Sequence, residues 1–224
     1  FDKEVLMTDS IPGSPTATDY LADETERDLS WIDAADPIAL FDQWLARAGE
    51  TEPNDPNAMS LATVDGAGQP DVRIVLLKGL SDEGFAFYTN SQSAKGQQLN
   101  GQPRAALCFH WKSQRRQVRV RGRVVEVGAD GSDAYFQNRA RGSRLSAWAS
   151  QQSQPAANRD ELIAAMEATE ARFDGGDVPR PPHWYGYRVV PDQIEFWQDG
   201  AFRLHDRIVF SRAKSGWEKT RLYP

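Results

Sequence analysis

Residues 117–127, QVRVRGRVVEV, constrain the fold more than any other stretch of this chain. They alternate with a period of two. Gln117, Arg119, Arg121 and Arg123 fall on one face, and Val118, Val120 and Val124 on the other. Successive side chains of a strand point to opposite faces, so this is a half-buried strand with a valine side turned to a core.

Similar runs surround it. MSLATV is followed by the turn residues DGAGQP, RIVLLK by GLSDEG, and FAFYT by NSQS, with Gly, Asp and Asn supplying the turn chemistry. RAALCFHW is a further strand, and YGYRVV, QIEFWQ, RIVFSR and WEKTRL close the chain. Helical patterns stand apart from these. One starts near Asp36-Pro37 and runs through LFDQWLARAG to stop at Gly49, with Pro in the first turn and Gly at the end. SAKGQQLN is a short helix, and DGSDAYFQNRA, SRLSAWASQQ and RDELIAAMEATEARF follow the long strand. Helices inserted among many short strands, rather than alternating with them, predict an α+β, mainly β, barrel-like fold and not a doubly wound sheet.

The expected organisation is an N-terminal arm over residues 1–30, rich in Pro, Thr, Ser and acids, and one domain over 31–224. The net charge of -6 conceals an asymmetry: residues 1–58 hold 14 acidic and 3 basic side chains, the remainder 18 and 23. The positive balance of the larger part suits small anionic ligands, while the acidic total argues against nucleic acid. No apolar run is long enough to span a bilayer, and the charged start FDKEVLMTDS does not resemble a secretory signal. The single cysteine, Cys108, has no intrachain partner, so a cytoplasmic location is expected.

Several chemistries have no motif here. The chain has no GxGxxG, no GxxxxGK[ST] and no GxSxG, and His110, His183 and His205 lack metal-ligand spacing. An enzyme of this composition would borrow a cofactor. Three clusters could hold one. Arg73 to Lys78 ends a strand with two cations, although spacing alone favours ordinary surface charges. Tyr88-Thr89 through Ser93-Ala94-Lys95 puts a Ser and a Lys at the start of a short helix, which can cradle a phosphate, although spacing alone favours a plain N-cap and a solvated Lys. Arg203-Leu204-His205-Asp206-Arg207 offers two arginines that can grip an anion or pair with Asp206. Trp197 nearby can lie against a flat ligand or simply fill a core.

Eight segments in order carry a resemblance: RIVLLK (73–78), FYTN with the following Ser and Lys (87–95), RRQVRVRG (115–122), YFQNRARGS (135–143), QQS (151–153), QIEFWQ (193–198), RLHDR (203–207) and RLYP (221–224). From about Asp36 to Pro224 the chain resembles the pyridoxine/pyridoxamine 5′-phosphate oxidase family. The resemblance implies a split β-barrel and a homodimer, with one FMN in each of two clefts at the subunit interface. It assigns to the flavin Arg73, Ile74, Val75, Leu76, Leu77 and Lys78 from the first segment. Tyr88, Thr89, Lys95 and Gln117 join them, as do Gln152, Ser153, Trp197 and Arg207. Lys78, Tyr135, Arg139 and Ser143 are assigned to the substrate phosphate, and Arg203, Leu204 and His205 to the face of its pyridine. Arg203 and His205 are the expected catalytic pair, acting as orienting and proton-managing groups.

The implied reaction moves hydride from the substrate's C4′ to flavin N5, and O₂ then takes the electrons to give H₂O₂. With pyridoxamine 5′-phosphate the imine is hydrolysed and ammonia leaves. Two departures from the family pattern stand out. Ala94 occupies a position usually held by Arg, and the basic stretch of the arm aligns with Ala17-Thr18-Asp19-Tyr20, which keeps only the tyrosine. Tyr185 and Tyr223 also replace smaller residues. The nearest rival is a split-barrel flavin oxidase acting on a phenazine precursor; Tyr135 and Arg139 count against it as phosphate anchors. A non-catalytic flavin or haem binder has no use for RLHDR, and a nucleic-acid barrel built on Arg119, Arg121 and Arg123 lacks interleaved aromatics.

Overall fold

The computed structural model describes residues 12, 13, 15–18 and 27–224. Most of the expected arm, Asp19 and Tyr20 included, lies outside the described residues.

A 3₁₀ turn at Ser30–Asp33 leads into helix α1, Pro37–Thr51. The Asp36 carboxylate caps it, accepting from the N–H groups of Ile38 at 2.8 Å and Ala39 at 3.3 Å, while Pro37 brings no N–H to satisfy. The helix passes through Gly49, the expected stop, to Thr51. Ala48 beside it is fully buried, and its carbonyl still accepts the N–H of Glu52 at 2.8 Å, so packing holds the last turn. The buried face of α1 carries Ile38, Leu40, Phe41 and Trp44 into the barrel. The Phe41 ring lies 4.9 Å from Phe85 and 4.8 Å from Phe109, and Trp44 lies 5.1 Å from Phe196, all edge-on.

Among the described residues, nine antiparallel strands wrap this plug. In chain order they are β1 Ala58–Val64, β2 Pro70–Leu76, β3 Gly79–Ser81, β4 Gly84–Asn90, β5 Arg104–Trp111 and β6 Arg116–Glu126; then β7 Trp184–Gln198, β8 Asp206–Arg212 and β9 Trp217–Arg221. The main path is β2-β1-β5-β6-β7-β4-β3, with β8 and β9 branching from β7. In β6, Val118, Val120 and Val124 are buried and Arg119, Arg121 and Arg123 exposed, as the alternation requires. GLSDEG is not only a turn, because its first three residues form β3 against β4.

YGYRVV and QIEFWQ are one strand rather than two. β7 pairs with β6 along one edge, and on its other edge it is shared: residues 184–189 face β4, residues 193–198 face β8. Pro191, without an N–H to donate, sits in the gap between those two partners. Opposite it, β6 shifts register between Arg121 and Gly122. A Cβ at position 122 would stand 2.0 Å from the carbonyl oxygen of Val190, so only glycine permits this approach. The two ends of the curled sheet meet where β2 runs on toward β3. The N–H of Leu77 bonds to Asn57 O at 2.9 Å beside β1, and that of Lys78 to Ala86 O at 2.8 Å on β4.

Helix α2, Ala94–Gly101, follows β4. α3 (Ala129–Gln137), α4 (Arg141–Ala149) and α5 (Arg159–Phe173) lie between β6 and β7. The architecture is a split β-barrel with peripheral helices.

Candidate functional site

A cleft of about 710 Å³ lies along the free edge of β2 and is walled by β4, α2, α3 and α4. Its size falls within the ordinary range for small-molecule sites. Residues from both faces of β2 reach it because the edge itself is the wall: Arg73, Ile74, Val75 and Leu76 all line it, with Lys78 just beyond. Leu77, in the same expected set, points instead into the core and is 5% exposed.

Lys95 is the unusual cation. It sits in the first turn of α2, behind the Ser93 cap, and is 8% exposed. Its Nζ reaches Thr89 Oγ1 at 3.3 Å and Ser93 Oγ at 3.4 Å, so its hydrogen-bond partners are hydroxyls. Burial, and then the nearby Arg73 charge, push the Lys95 pKa down, with Asp71 opposing them. Arg73 is better supplied: it donates to Thr63 Oγ1 at 2.5 Å, Leu61 O at 3.1 Å and Gln98 Oε1 at 3.0 Å, and pairs with Asp71. Gln152 enters the cleft from the segment after α4 and hydrogen-bonds Thr89 at 3.2 Å. Ser153 beside it has a left-handed backbone, φ 73°, and does not line the cleft.

The other end of the cleft is aromatic and cationic. Tyr88 stacks on Tyr135 at 4.0 Å and on Trp184 at 5.3 Å. Burial raises the pKa of both tyrosines, which keeps their hydroxyls neutral. The Arg139 guanidinium lies 4.9 Å from the Trp184 ring centre, and its Nη1 is buried with no hydrogen-bond partner. Burial lowers its pKa, against the opposing influence of Tyr135. An unpaired buried guanidinium nitrogen beside an open cleft is a place for an anion, because the alternative is an uncompensated desolvation cost. Ser143 lines the same region, one helical face of α4 below it.

Sequence reasoning missed Asn90, Ala140, Ser146, Ala147, Ser150 and Trp184, all of which line the cleft. A signal was present for part of this set. Residues 143, 146, 147 and 150 are Ser, Ser, Ala and Ser, the spacing of one helical face kept small. Trp184 gave no such sign, since it opens a strand whose neighbours are equally apolar.

Gln117, Trp197, Arg207, Arg203, Leu204 and His205 do not line this cleft. They form a second group, in which Gln117 faces Trp197 across β6–β7 and Trp197 faces Arg207 across β7–β8. Arg207 donates to the buried Glu195 at 2.9 Å and to Tyr223 O at 3.0 Å. Burial alone would raise the Glu195 pKa, but hydrogen bonds from Arg207 and Arg119 hold it below the usual carboxylate range. The His205 ring lies 4.7 Å from that of Trp197, and its Nδ1 is 2.9 Å from Asp199. Phe202 and Arg203 are both left-handed, with φ of 54° and 65°. A Cβ on Gly200 would stand 2.0 Å from Leu204 O, so this turn is closely built and presents Arg203 and Leu204 outward.

Among the described residues no helix is long and apolar enough to cross a membrane, and no cluster of side chains could hold a metal ion. A family model described as pyridoxamine 5′-phosphate oxidase matches residues 46–173, and one described as the C-terminal dimerisation region of pyridoxine 5′-phosphate oxidase matches residues 184–224. A pyridoxine/pyridoxamine 5′-phosphate oxidase of Hyphomonas neptunium is 58% identical over 224 residues, covering 97% of this chain and 100% of its own length. The enzyme of that name from Caulobacter vibrioides is 54% identical, covering 96% and 97%. Among solved structures, PhzG from Burkholderia lata in complex with tetrahydrophenazine-1-carboxylic acid superposes with a TM-score of 0.82 at 30% identity, over 88% of this chain and 98% of that one. A pyridoxamine 5′-phosphate oxidase-related, FMN-binding protein of Nostoc punctiforme shares the fold, with a TM-score of 0.67 at 19% identity, over 86% and 100%. The barrel, with these matches, defines a split-barrel oxidase. The chain belongs to the pyridoxine/pyridoxamine 5′-phosphate oxidase family.

Proposed function

We propose that this chain is an FMN-dependent oxidase that converts pyridoxamine 5′-phosphate and pyridoxine 5′-phosphate to pyridoxal 5′-phosphate, reduces O₂ to H₂O₂, and works as a homodimer. The observation that carries the reading is the presence of two under-supplied cations in one cleft: Lys95, bonded only to hydroxyls, and Arg139, with a buried nitrogen unpaired. A phosphorylated cofactor and a phosphorylated substrate require two anion stations, and these residues fit them. Lys95 and Thr89, with Arg73, hold the FMN phosphate. Arg139, Lys78, Tyr135 and Ser143 hold that of the substrate.

When bound, FMN supplies a two-electron acceptor that O₂ reoxidises. The chain's own part is positioning. Arg203 and His205 orient the substrate's C4′, Trp197 lies against the ring system, and Gln117 and Arg207 bind the cofactor's polar edge. Because that second group does not line the cleft of its own chain, it serves the cleft of a second copy. The match of residues 184–224 to a dimerisation region supports this arrangement.

The likeness to PhzG favours one other reading, oxidation of a phenazine precursor. The test is the visible spectrum of the purified protein, without air. Flavin bands that bleach on addition of pyridoxamine 5′-phosphate support the proposal, and H₂O₂ appears when air is admitted. Bands that bleach with a dihydrophenazine carboxylate, and not with the phosphate ester, overturn it.

A further inference from the structure

We infer that Asp71 competes with the cofactor phosphate for Arg73, so that the chain carries its own rival for the anion station at that end of the cleft. That the anion is FMN rests on the proposed function; the hold of Asp71 on Arg73 does not.

A guanidinium has a fixed set of N–H groups, and Arg73 has few to spare. Its Nη1 donates to Thr63 Oγ1 at 2.5 Å and to Leu61 O at 3.1 Å, while Nη2 donates to Gln98 Oε1 at 3.0 Å and pairs with the Asp71 carboxylate. Among the described residues, only the Nε–H is left without a partner. A phosphate gripped bidentately takes two parallel N–H groups, so one of the present partners has to give way. Asp71 is the one placed to leave. It lies near the start of the edge strand β2, and its side chain is 47% exposed against 19% for Arg73. Arg73 lines the cleft, and Asp71 stands beside that lining. Gln98 Nε2 also donates to Asp71 Oδ2, at 3.1 Å. Two donors thus converge on one anionic oxygen, an arrangement that suits a phosphate oxygen equally well.

The plainer role for Asp71 is to aim Arg73. Three neutral partners already do that, from β1 (Leu61 and Thr63) and from α2 (Gln98), so what Asp71 adds is charge. The hydrogen bond from Gln98 lowers the Asp71 pKa most, desolvation opposes it, and the Arg73 charge lowers it further, which keeps the carboxylate ionised. Its field also reaches Lys95, the other cation of the station. Both cations are therefore partly offset by one acid before any ligand arrives. An ion pair as exposed as this is weak and screened by salt, whereas a phosphate dianion meets both cations together. The phosphate displaces Asp71, and the affinity for FMN is lower by what that displacement takes.

Titration of the apo-protein with FMN separates the two roles. Asp71→Asn keeps the shape and loses the charge, and Asp71→Ala loses both; each should bind FMN about fivefold tighter than the wild type. Riboflavin, which lacks the phosphate, should bind all three proteins alike. In an Arg73→Met background, Asp71→Asn should change FMN affinity by less than about twofold, because the contested group is gone. Unchanged or weaker FMN binding by Asp71→Asn makes Asp71 a buttress of Arg73 and overturns the inference. An equal gain for riboflavin, or an equal gain without Arg73, makes it a general surface charge and overturns the inference too. If none of the proteins takes up flavin, the proposed function fails and inorganic phosphate decides the rest. A Tm raised by millimolar phosphate more in Asp71→Asn than in the wild type supports the rivalry, and an equal rise or none overturns it.

Discussion

Lys95 is a buried cation bonded only to hydroxyls and Arg139 a half-buried one with a buried, unpaired Nη1, and each gives a measurable consequence. A phosphate that binds beside Lys95 favours its ammonium form. Burial lowers the Lys95 pKa in the free protein, so FMN affinity should be full below that lowered value and weaken as pH rises through it, earlier than for an ordinary lysine. Titrations of the apo-protein across pH test this, with Lys95→Arg expected to flatten the profile because guanidinium does not titrate there. Ala94 stands just before Lys95, at the first position of α2. Ala94→Arg should tighten FMN by up to about tenfold if roughly 1.4 kcal/mol is gained, with turnover unchanged; weaker binding would count against it. Arg139 and Arg203 should separate in kinetics. Arg139→Ala removes a contact common to the ground and transition states and should mainly raise KM. Arg203→Ala disturbs the turn proposed to face C4′ and should lower kcat, on the order of a hundredfold for about 1 Å of misplacement. The reverse pattern would mean the two roles are exchanged.

At the level of elements, the join between β6 and β7 is the position that tolerates least. Gly122→Ala would drive a Cβ into the Val190 carbonyl and should cost about 3 kcal/mol, seen as a Tm lower by on the order of 10 °C. An unchanged melting curve would show that the strands can part there without loss. Most elements were legible in the chain because local pattern and burial agree. β5 and α5 have the expected bounds, and the valine face of β6 is the buried one. The misses have physical causes. β7 read as two strands because Pro191-Asp192 has the composition of a break, and only the three-dimensional gap between β4 and β8 makes a proline acceptable within it. α1 outran Gly49 because burial of Ala48 outweighs a glycine's preference. In the cleft, cations and hydroxyls were legible through a family resemblance, whereas Trp184 and the small face of α4 depend on which helix packs over which strand. The separation of Trp197, His205 and Arg207 from the cleft residues could not be read from their spacing at all.

For the whole molecule, the proposed arrangement, in which a cleft takes Lys95 and Arg139 from one copy and the Arg203 turn from the other, predicts complementation. Arg139→Ala and Arg203→Ala homodimers each carry two defective sites. In a hybrid of the two, one site takes both defects and the other takes none. Assayed at substrate well below the wild-type KM, where both parents are impaired, an equal mixture unfolded and refolded should recover about a quarter of wild-type activity, half of the dimers being hybrids with one sound site. No recovery beyond the parents would place both groups in a single chain's site, and light scattering on the same samples should report dimers at micromolar concentration. Val72 and Ile74, 63% and 64% exposed on the edge strand β2, are the apolar surface such an assembly would cover.

The sharing of β7 between two partners also fixes when the molecule can be finished. β4 leaves the ribosome about ninety residues ahead of the strand it must pair with, a wait of roughly 5–20 s at ordinary rates of synthesis. Until β7 arrives, the Tyr88–Thr89 wall of the cleft has an open edge, and β6 has a partner on one side only. Both are filled by one strand, so the barrel closes only once β7 has been made. A nascent chain halted before residue 184 has every cation of the cleft but lacks the strand that joins β2-β1-β5-β6 to β4-β3.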